Sequence, residues 1–386
     1  MIKIFKIIFF TLLIFISNYS VVFSNEEKIR IGLLVPMSGD NKHLSKLIIK
    51  STRMALEDIG NEKLEIYPKD TSSNPDQTLK SAMELKNLGI KIIIGPVFYK
   101  SLSYLDDVED IIFLSHTNKT INLPKNVISS GVNATSQLNA IKKFLDNNEI
   151  KKTIILTPKL EYDVEIKKAI KGSKIKSSKH YIYDTEPTKL TKQIEKITNY
   201  KIRKQNLEDE IRRVENSNLE EKEKEKQLEK LNKRYTIGNV NFDSVIISDF
   251  DESLKSVVTS LLYTDVSPKK KFFITFNQWF DESFLNESTI QPIYYPSINK
   301  NNLDKFKQKF YKKFNEYPNH LSLLSYDLVG LIYYLSLKNE LMEIDKIFRK
   351  KNSFKGKIGI FDVNNNEINH RLNFYQVEEG KFKEIF

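Results

Sequence analysis

Short apolar runs alternate with amphipathic segments along the first third of the chain. The run at residues 29–35 is followed by a segment at 44–59 whose apolar side chains recur at helical spacing. Further strands are predicted at 64–67, 91–94 and 110–114, with a further helix at 78–88. Strands that alternate with helices in this way indicate parallel strands joined by crossover helices. We therefore expect an α/β unit in which the carboxyl ends of the strands share one edge of a sheet.

A second unit of similar construction begins at Asn133. Its predicted helices are 136–147, 164–171 and 252–263, and its predicted strands are 152–156, 180–183, 242–248 and 271–275. We interpret residues 292–296 as a crossing back to the first unit. Long amphipathic helices are predicted after it at 301–314 and 322–337, and short strands in the tail at 356–385. The pattern as a whole predicts two α/β lobes.

Residues 190–235 break this alternation, because the segment is densely charged and has no strand pattern. Its apolar positions recur at spacings of three and four, at Leu207, Ile211 and Val214 and again at Leu228, Leu231 and Tyr235. This spacing predicts two antiparallel helices with a turn at 216–218. Two interpretations stay open for this insert in the second lobe: a solvated hairpin, or an arm that docks a partner.

The N-terminal residues have the pattern of a cleavable secretion signal. Lys3 and Lys6 precede an apolar stretch at 7–16, and Val22 and Ser24 occupy the positions that a signal peptidase reads. The apolar stretch is too short to span a bilayer comfortably, and we expect no other span. We therefore predict cleavage near Ser24 and a periplasmic protein without stable membrane insertion; an uncleaved anchor is the alternative.

Composition excludes several classes of site. The chain has no cysteine, which excludes disulfides, a thiol nucleophile and thiolate metal sites. The formal net charge is +11, but basic residues are mixed with acidic ones and form no basic stripe, so no nucleic-acid partner is expected. The five histidines are far apart in the sequence, and no motif for catalysis or phosphate binding is present. We therefore expect no enzyme activity, no metal and no cofactor.

The loops that follow the predicted strands supply the candidate site. In a parallel sheet these loops gather at one edge, where a cleft lined by apolar groups and a few fixed polar groups binds ligands. The candidate ligand-binding residues are Ser38, Phe98, Ser115, Thr117, Tyr162, Asp249 and Trp279. His116 lies in one of these loops, and we interpret it as an ordinary loop histidine.

Four segments carry a resemblance to a known family: IRIGLLVPMSGD, KDTSSNPDQTLKSAMEL, IKIIIGPVF and IFLSHTN. They resemble the type I periplasmic-binding fold in its leucine-binding-protein branch, the receptor-type ligand-binding region. The resemblance implies two lobes, each a mostly parallel sheet flanked by helices, joined by crossing strands and closing on a ligand. The implied organisation is a signal peptide at 1–24, lobe 1 at 25–136, lobe 2 at 137–292 with a helical insert at 190–235, a return to lobe 1 at 293–352, and C-terminal strands of lobe 2 or the hinge at 353–386.

A narrower resemblance is to the penicillin-binding protein activators, extracytoplasmic regulators of peptidoglycan synthesis. It rests on the 95–98 loop, the segment at 277–297, the helix at 321–335 and the insert. Amino-acid binders carry a hydroxyl-rich loop where this chain has Phe98 and Tyr99. The resemblance therefore implies a non-catalytic activator whose partner is a peptidoglycan synthase. The alternative is the substrate-binding protein of an ABC importer, with a permease as partner and an amino acid or a similar small amide as ligand.

Overall fold

The computed structural model describes residues 28–60, 62, 64–276, 280, 282–338 and 344–386. The predicted signal peptide at 1–24 lies outside the described residues. Lobe 1 begins with β1 (Ile29–Val35), α1 (Lys42–Ile59), β2 (Leu64–Asp70), α2 (Pro75–Asn87), β3 (Ile92–Ile94), β4 (Ile112–Ser115) and β5 (Val127–Ser129). The five strands form a parallel sheet in the order β2-β1-β3-β4-β5. The first predicted α/β unit is therefore present.

Local sequence accounts for these elements. In α2, the side chain of Asn74 accepts a hydrogen bond from the backbone N–H of Gln77, and Pro75 stands in the first turn, where its missing N–H costs nothing. The strands β3 and β4 are fully buried, as expected for central strands covered on both faces. Hydrophobic periodicity thus locates the elements, and capping residues set their ends.

Lobe 2 contains the second sheet and most of the remaining helices. Its elements are α3 (Ala134–Asn147), β6 (Thr153–Pro158), α4 (Asp163–Ser173), β7 (Lys179–Tyr183), α5 (Pro187–Ile197), α6 (Tyr200–Glu215), α7 (Glu221–Asn232), β8 (Ser244–Ile247), α8 (Asp251–Tyr263), β9 (Phe272–Thr275), α9 (Ser283–Asn286) and β10 (Ile293–Ser297). Two C-terminal strands, β14 (Asn373–Glu378) and β15 (Lys381–Glu384), complete it. The sheet order is β15-β14-β10-β9-β8-β6-β7, with β14 and β15 antiparallel to their neighbours.

The strand β10 differs from the sequence prediction, which placed residues 293–352 in lobe 1. It lies inside the second sheet, parallel to β9 and antiparallel to β14. Prolines 292 and 296 suggested a crossing instead of a strand. Pro296 is tolerated because the register with β9 covers only Ile293 and Tyr294, so the missing N–H lies beyond that pairing.

The chain then returns to lobe 1 and ends in the second sheet. The returning elements are α10 (Lys300–Phe314), α11 (His320–Lys338), α12 (Ile344–Ile347) and a small antiparallel sheet of β11 (Asn352–Lys355), β12 (Ile360–Asn364) and β13 (Glu367–Arg371). The Ser51 hydroxyl donates to the carbonyl of Ser322, which joins α1 to α11. Where the lobes meet, Asn133 Nδ2 donates to the carbonyl of Ile368 at 3.1 Å. The small sheet therefore belongs to the crossing region.

Helix α11 corrects the expectation that no segment after the signal could span a membrane. Among the described residues it is the one helix long and apolar enough by length and composition, with a mean hydropathy of 1.2. More than half of that window, 56%, is buried inside the protein. The burial against α1 is typical of a core helix, which has the same composition as a span.

The insert forms the predicted helical hairpin, with corrected limits. Residues 190–197 belong to α5, where Leu190 and Ile194 enter the main core. Helices α6 and α7 form the hairpin, which we call the arm. Their apolar seam is a separate cluster of Leu207, Val214 and Leu231 with Ile211, Leu228 and Ile237. Tyr235 was expected in this seam but is 76% exposed, and Ile237 packs there instead.

Candidate functional site

The loop after β1 places Ser38 beside the end of β2. The Ser38 hydroxyl donates to Asp70 at 2.6 Å and lies 2.7 Å from the hydroxyl of Ser72. The backbone N–H of Met37 also donates to Asp70, at 2.7 Å. Burial acts to raise the pKa of Asp70, but these hydrogen bonds outweigh it and hold the pKa below its ordinary value. Ser38 therefore serves to close the β1 loop onto Asp70.

The loops after β3 and β4 bring Ser115 and Thr117 together beneath Pro96. Ser115 is completely buried, and its hydroxyl donates to the carbonyl of Pro96 at 2.8 Å. The Thr117 hydroxyl accepts from the backbone N–H of Lys119, and its carbonyl accepts from the hydroxyl of Ser129. Ser115 and Thr117 are therefore both buried, and their hydroxyl groups are hydrogen-bonded within the protein. Phe98 is half-buried and packs on the edge of the core.

His116 is a core histidine, which departs from the interpretation of an ordinary loop residue. It is 5% exposed, and Nε2 lies 2.6 Å from the hydroxyl of Ser325 on α11. Burial, with a contribution from His320, lowers the pKa of His116 to about 4. The side chain is therefore neutral at physiological pH and ties the β4 loop to α11.

In lobe 2, two of the candidate residues, Tyr162 and Asp249, lie in contact in the loops that follow β6 and β8. The Tyr162 hydroxyl lies 3.3 Å from Asp249 Oδ1 and 3.1 Å from the carbonyl of Ser248. Tyr183, at the end of β7, donates a short hydrogen bond to the other carboxylate oxygen of Asp249. Sequence reasoning missed Tyr183, although its place at the end of a predicted strand was the available signal. The three side chains form an acid–phenol cluster in which Asp249 and Tyr183 are buried and Tyr162 is half-buried.

Burial dominates the electrostatics of this cluster. Asp249 is 4% exposed, and burial raises its pKa above the ordinary value although hydrogen bonds from Tyr183, Phe250 and Tyr162 act to lower it. Burial and the neighbouring carboxylate raise the pKa of both tyrosines. The phenols therefore remain hydrogen-bond donors at any physiological pH.

A contact across the cleft joins the two lobes. Glu165, in the first turn of α4 in lobe 2, accepts hydrogen bonds from the N–H and hydroxyl of Thr120 at 2.9 and 2.8 Å and from the N–H of Ile121 at 2.9 Å. Lys168 donates to the carbonyl of Thr120 at 2.8 Å. We call these four bonds the interlobe latch. Sequence reasoning missed it, since a glutamate in a first helical turn is ordinary.

The predicted site is thus divided between the lobes. Ser115 and Thr117 are adjacent in lobe 1, Tyr162 and Asp249 are bonded in lobe 2, and no hydrogen bond among these described side chains joins the two pairs. Trp279 lies outside the described residues. Within the described ranges, no group of three or more His, Asp or Glu side chains could hold a metal ion.

Comparison with known proteins identifies the fold. Residues 28–193 match the family model described as "Periplasmic binding protein". No curated protein sequence matches the chain. Among solved structures, the C-domain of LpoA from Haemophilus influenzae, described as a regulator of PBP1A, has a TM-score of 0.62 at 16% identity and covers 92% of this chain and 100% of its own.

Two transporter-type structures are also similar. The leucine binding protein LivK from Thermotoga maritima has a TM-score of 0.54 at 13% identity, covering 93% of this chain and 98% of its own. A putative branched-chain amino acid ABC transporter protein from Rhodospirillum rubrum has a TM-score of 0.66 at 11% identity, covering 93% and 100%. Identities this low show the fold alone. The chain has the two-lobed type I periplasmic-binding fold, and the predicted fold class is confirmed.

Proposed function

We propose that this chain, which has the type I periplasmic-binding fold, is a non-catalytic extracytoplasmic protein that regulates peptidoglycan synthesis by binding a peptidoglycan synthase. The similarity to the LpoA C-domain supplies the class of partner. The fold neighbours include regulators and solute-binding proteins, so the choice between these roles rests on this chain's own residues.

The hydrogen bonding of the polar groups at the strand ends carries the proposal. Ser38 is bonded to Asp70, Ser115 to the Pro96 carbonyl, and Asp249 to Tyr162 and Tyr183. A small zwitterion would have to break such bonds, and each buried polar group left without a partner costs about 1–3 kcal/mol. Because Ser38, Ser115 and Asp249 are already satisfied by the protein itself, we infer that the protein acts through its outer surface.

The arm is the surface through which we propose that the synthase is bound. Most residues of α7 between Glu221 and Lys230 are exposed and charged. The apolar seam is used between α6 and α7, so the outward faces present mixed charge. Charged rims of this kind set partner orientation and association rate.

A linker replacement tests this role. The carbonyl of Arg203 accepts a hydrogen bond from the N–H of Ile237 at 2.9 Å, so the two ends of the arm are close. Replacing residues 206–232 with a four-residue Gly-Ser linker removes α7 and most of α6 and keeps Arg203 and Thr236. Pull-down of a peptidoglycan synthase should fall about tenfold or more with an unchanged melting temperature. No binding by the intact protein, or equal binding by both, would contradict the proposal.

The second candidate is the substrate-binding protein of an ABC importer, with an amino acid or a small amide as ligand. The observation that favours it is the buried Asp249 between two phenol donors at the cleft edge, together with the similarity to LivK. A thermal-shift screen of amino acids and small amides tests whether the protein binds such a ligand. A ligand present at about 100 times its Kd stabilises the folded state by about 2.7 kcal/mol, and Asp249→Asn should remove that shift. A flat response across the panel would eliminate this candidate.

A further inference from the structure

A basic cavity lies at the base of the arm, on the opposite side of lobe 2 from the cleft. Its volume is about 850 Å³. Lys152, Asp243 and Lys271 line it, and each stands immediately before a strand, β6, β8 and β9 respectively. The cavity therefore lies at the amino ends of these parallel strands, whereas the cleft loops follow their carboxyl ends. We call it the basal cavity.

Positive charge dominates the lining. Two carboxylates, Asp243 and Asp265, face six cationic side chains: Lys152, Arg203, Lys233, Arg234, Lys270 and Lys271. A concave surface with one dominant sign of charge concentrates ions of the opposite sign. The lining therefore selects for an anion.

Three of the cations are already paired with carboxylates. Arg203 lies 3.8 Å from Asp265, Lys271 lies 3.6 Å from Asp243, and Lys233 is bonded to a glutamate on the arm. The positive charges of the other three, Lys152, Arg234 and Lys270, are therefore available to attract an anionic ligand. Lys152 Nζ donates to the amide oxygen of Asn241 at 3.0 Å, and among the described residues Lys152, Arg234 and Lys270 form no ion pair.

The wall of the cavity is held rigidly by Arg203. This side chain is 6% exposed and donates to the carbonyls of Gly238 and Thr264 at 3.2 and 2.9 Å and to the Thr236 hydroxyl at 2.7 Å. These bonds attach the base of the arm to the C-terminal end of α8. A wall fixed before binding lowers the entropic cost of taking up a ligand.

We propose that the basal cavity binds a phosphate-bearing ligand. The Arg234 guanidinium offers paired N–H donors that match phosphate oxygens, and Lys270 and Lys152 add point charges. The volume is in the range of small-molecule sites and exceeds that of one phosphate group. The exposed ring of Tyr235 lines the rim and provides a flat surface for an organic group. This inference is independent of the proposed function.

Two sources share this chemistry: a free phosphorylated solute and the headgroup of an anionic phospholipid. Isothermal titration with inorganic pyrophosphate probes the first. Co-sedimentation with vesicles of phosphatidylglycerol and phosphatidylcholine, against vesicles of phosphatidylcholine alone, probes the second. Both measurements use the protein without residues 1–24. They are made at low and at physiological salt, because surface electrostatic interactions weaken as the ionic strength rises.

The test variant is Arg234→Ala with Lys270→Ala, whose side chains are exposed and unpaired with described residues. The matched control is Lys305→Ala with Lys312→Ala on α10, which removes the same charge from exposed positions in lobe 1. We expect pyrophosphate or anionic vesicles to bind the wild type and the control equally. Binding to the test variant should fall at least tenfold.

Three results would overturn the proposal. They are equal losses in the test and control variants, no binding of either probe by the wild type, and equally effective competition by a polyglutamate peptide. Binding to vesicles without binding to pyrophosphate would support the proposal and assign the lipid headgroup as the source. Pyrophosphate binding without vesicle binding would assign a free solute.

Discussion

Gly95 stands at the end of β3, where a larger residue has no room. Its φ is +106°, and a Cβ atom there would lie 2.2 Å from the carbonyl oxygen of Leu34. That oxygen belongs to the backbone of the neighbouring strand β1 and has no rotamer to change. The path of the loop that carries Phe98 therefore depends on glycine at this position.

Gly95→Ala should lower the free energy of unfolding by about 2–4 kcal/mol, because both the backbone conformation and the contact with Leu34 become strained. Urea unfolding measures it. Gly39→Ala is the matched control, since Gly39 also has a positive φ, +74°, but nothing lies within 4 Å of the added Cβ. The control should cost about 1 kcal/mol, and equal losses would contradict the steric argument.

Two buried histidines predict a loss of stability in acid. Burial lowers the pKa of His116 and of His370 to about 4, whereas an unfolded histidine titrates near 6.5. The unfolded state therefore binds protons that the folded state does not, and stability falls as the pH drops from about 6.5 towards 4. Each histidine should cost about 2 kcal/mol between pH 8 and pH 5.

Urea unfolding of His370→Gln at both pH values checks this. The glutamine is neutral throughout, so the acid-dependent loss should shrink by about 2 kcal/mol whatever the substitution costs at pH 8. A pH dependence unaltered in His370→Gln would refute the assignment.

At the scale of elements, the arm is stabilised separately from the lobes. Its apolar cluster has three buried side chains, Leu207, Val214 and Leu231, and is distinct from the main core. Short helices with so thin a seam are marginal by themselves. The arm should therefore open locally without global unfolding.

Leu231→Ala should loosen the arm and leave the lobes folded. Limited proteolysis at the α6–α7 turn, residues 216–220, should become faster, while the free energy of global unfolding changes by less than about 1 kcal/mol. Leu261→Ala in α8 removes the same side chain from the main core, where Leu261 is fully buried. It should cost about 2–5 kcal/mol globally; a similar global cost for both variants would contradict a separate arm.

The sequence pattern predicted elements better than their pairing. Most of the alternating strands and helices of both lobes were predicted correctly, because hydrophobic periodicity is a local signal. The short strand β5 was missed, because three residues are too few to show a periodic pattern. The predicted location of β10 was wrong, because its prolines were interpreted as a crossing between the lobes. In the structure, Pro296 lies beyond the two residues of β10 that pair with β9, so its missing N–H does not interrupt that pairing. Tyr235 was wrongly placed in the seam, since spacing alone did not show that the helix ends at Asn232.

At the scale of the whole molecule, we predict that the interlobe latch restricts the movement of the two lobes relative to each other. Glu165→Ala removes the acceptor of three hydrogen bonds from Thr120 and Ile121. Hydrogen bonds to a charged group contribute about 1.5–3 kcal/mol. The fraction of molecules in which the two lobes have moved apart should therefore increase at least about tenfold. Small-angle X-ray scattering should then give a larger radius of gyration.

The control for the latch is Glu161→Ala, which removes an exposed glutamate from the same loop region. Its scattering curve should match that of the wild type. Identical curves for all three proteins would show that Glu165 does not hold the lobes together.

The sequence by itself determined the two-lobed α/β architecture and the strand ends that carry the candidate residues, because hydrophobic periodicity and chain order suffice for both. Only the tertiary structure decided what those residues do. Ser115 and Asp249 are bonded to groups 19 and 66 residues away, the latch joins positions 45 apart, and the basal cavity gathers charges from six separate segments. Such partnerships depend on how the lobes pack, and no local pattern in the chain encodes them.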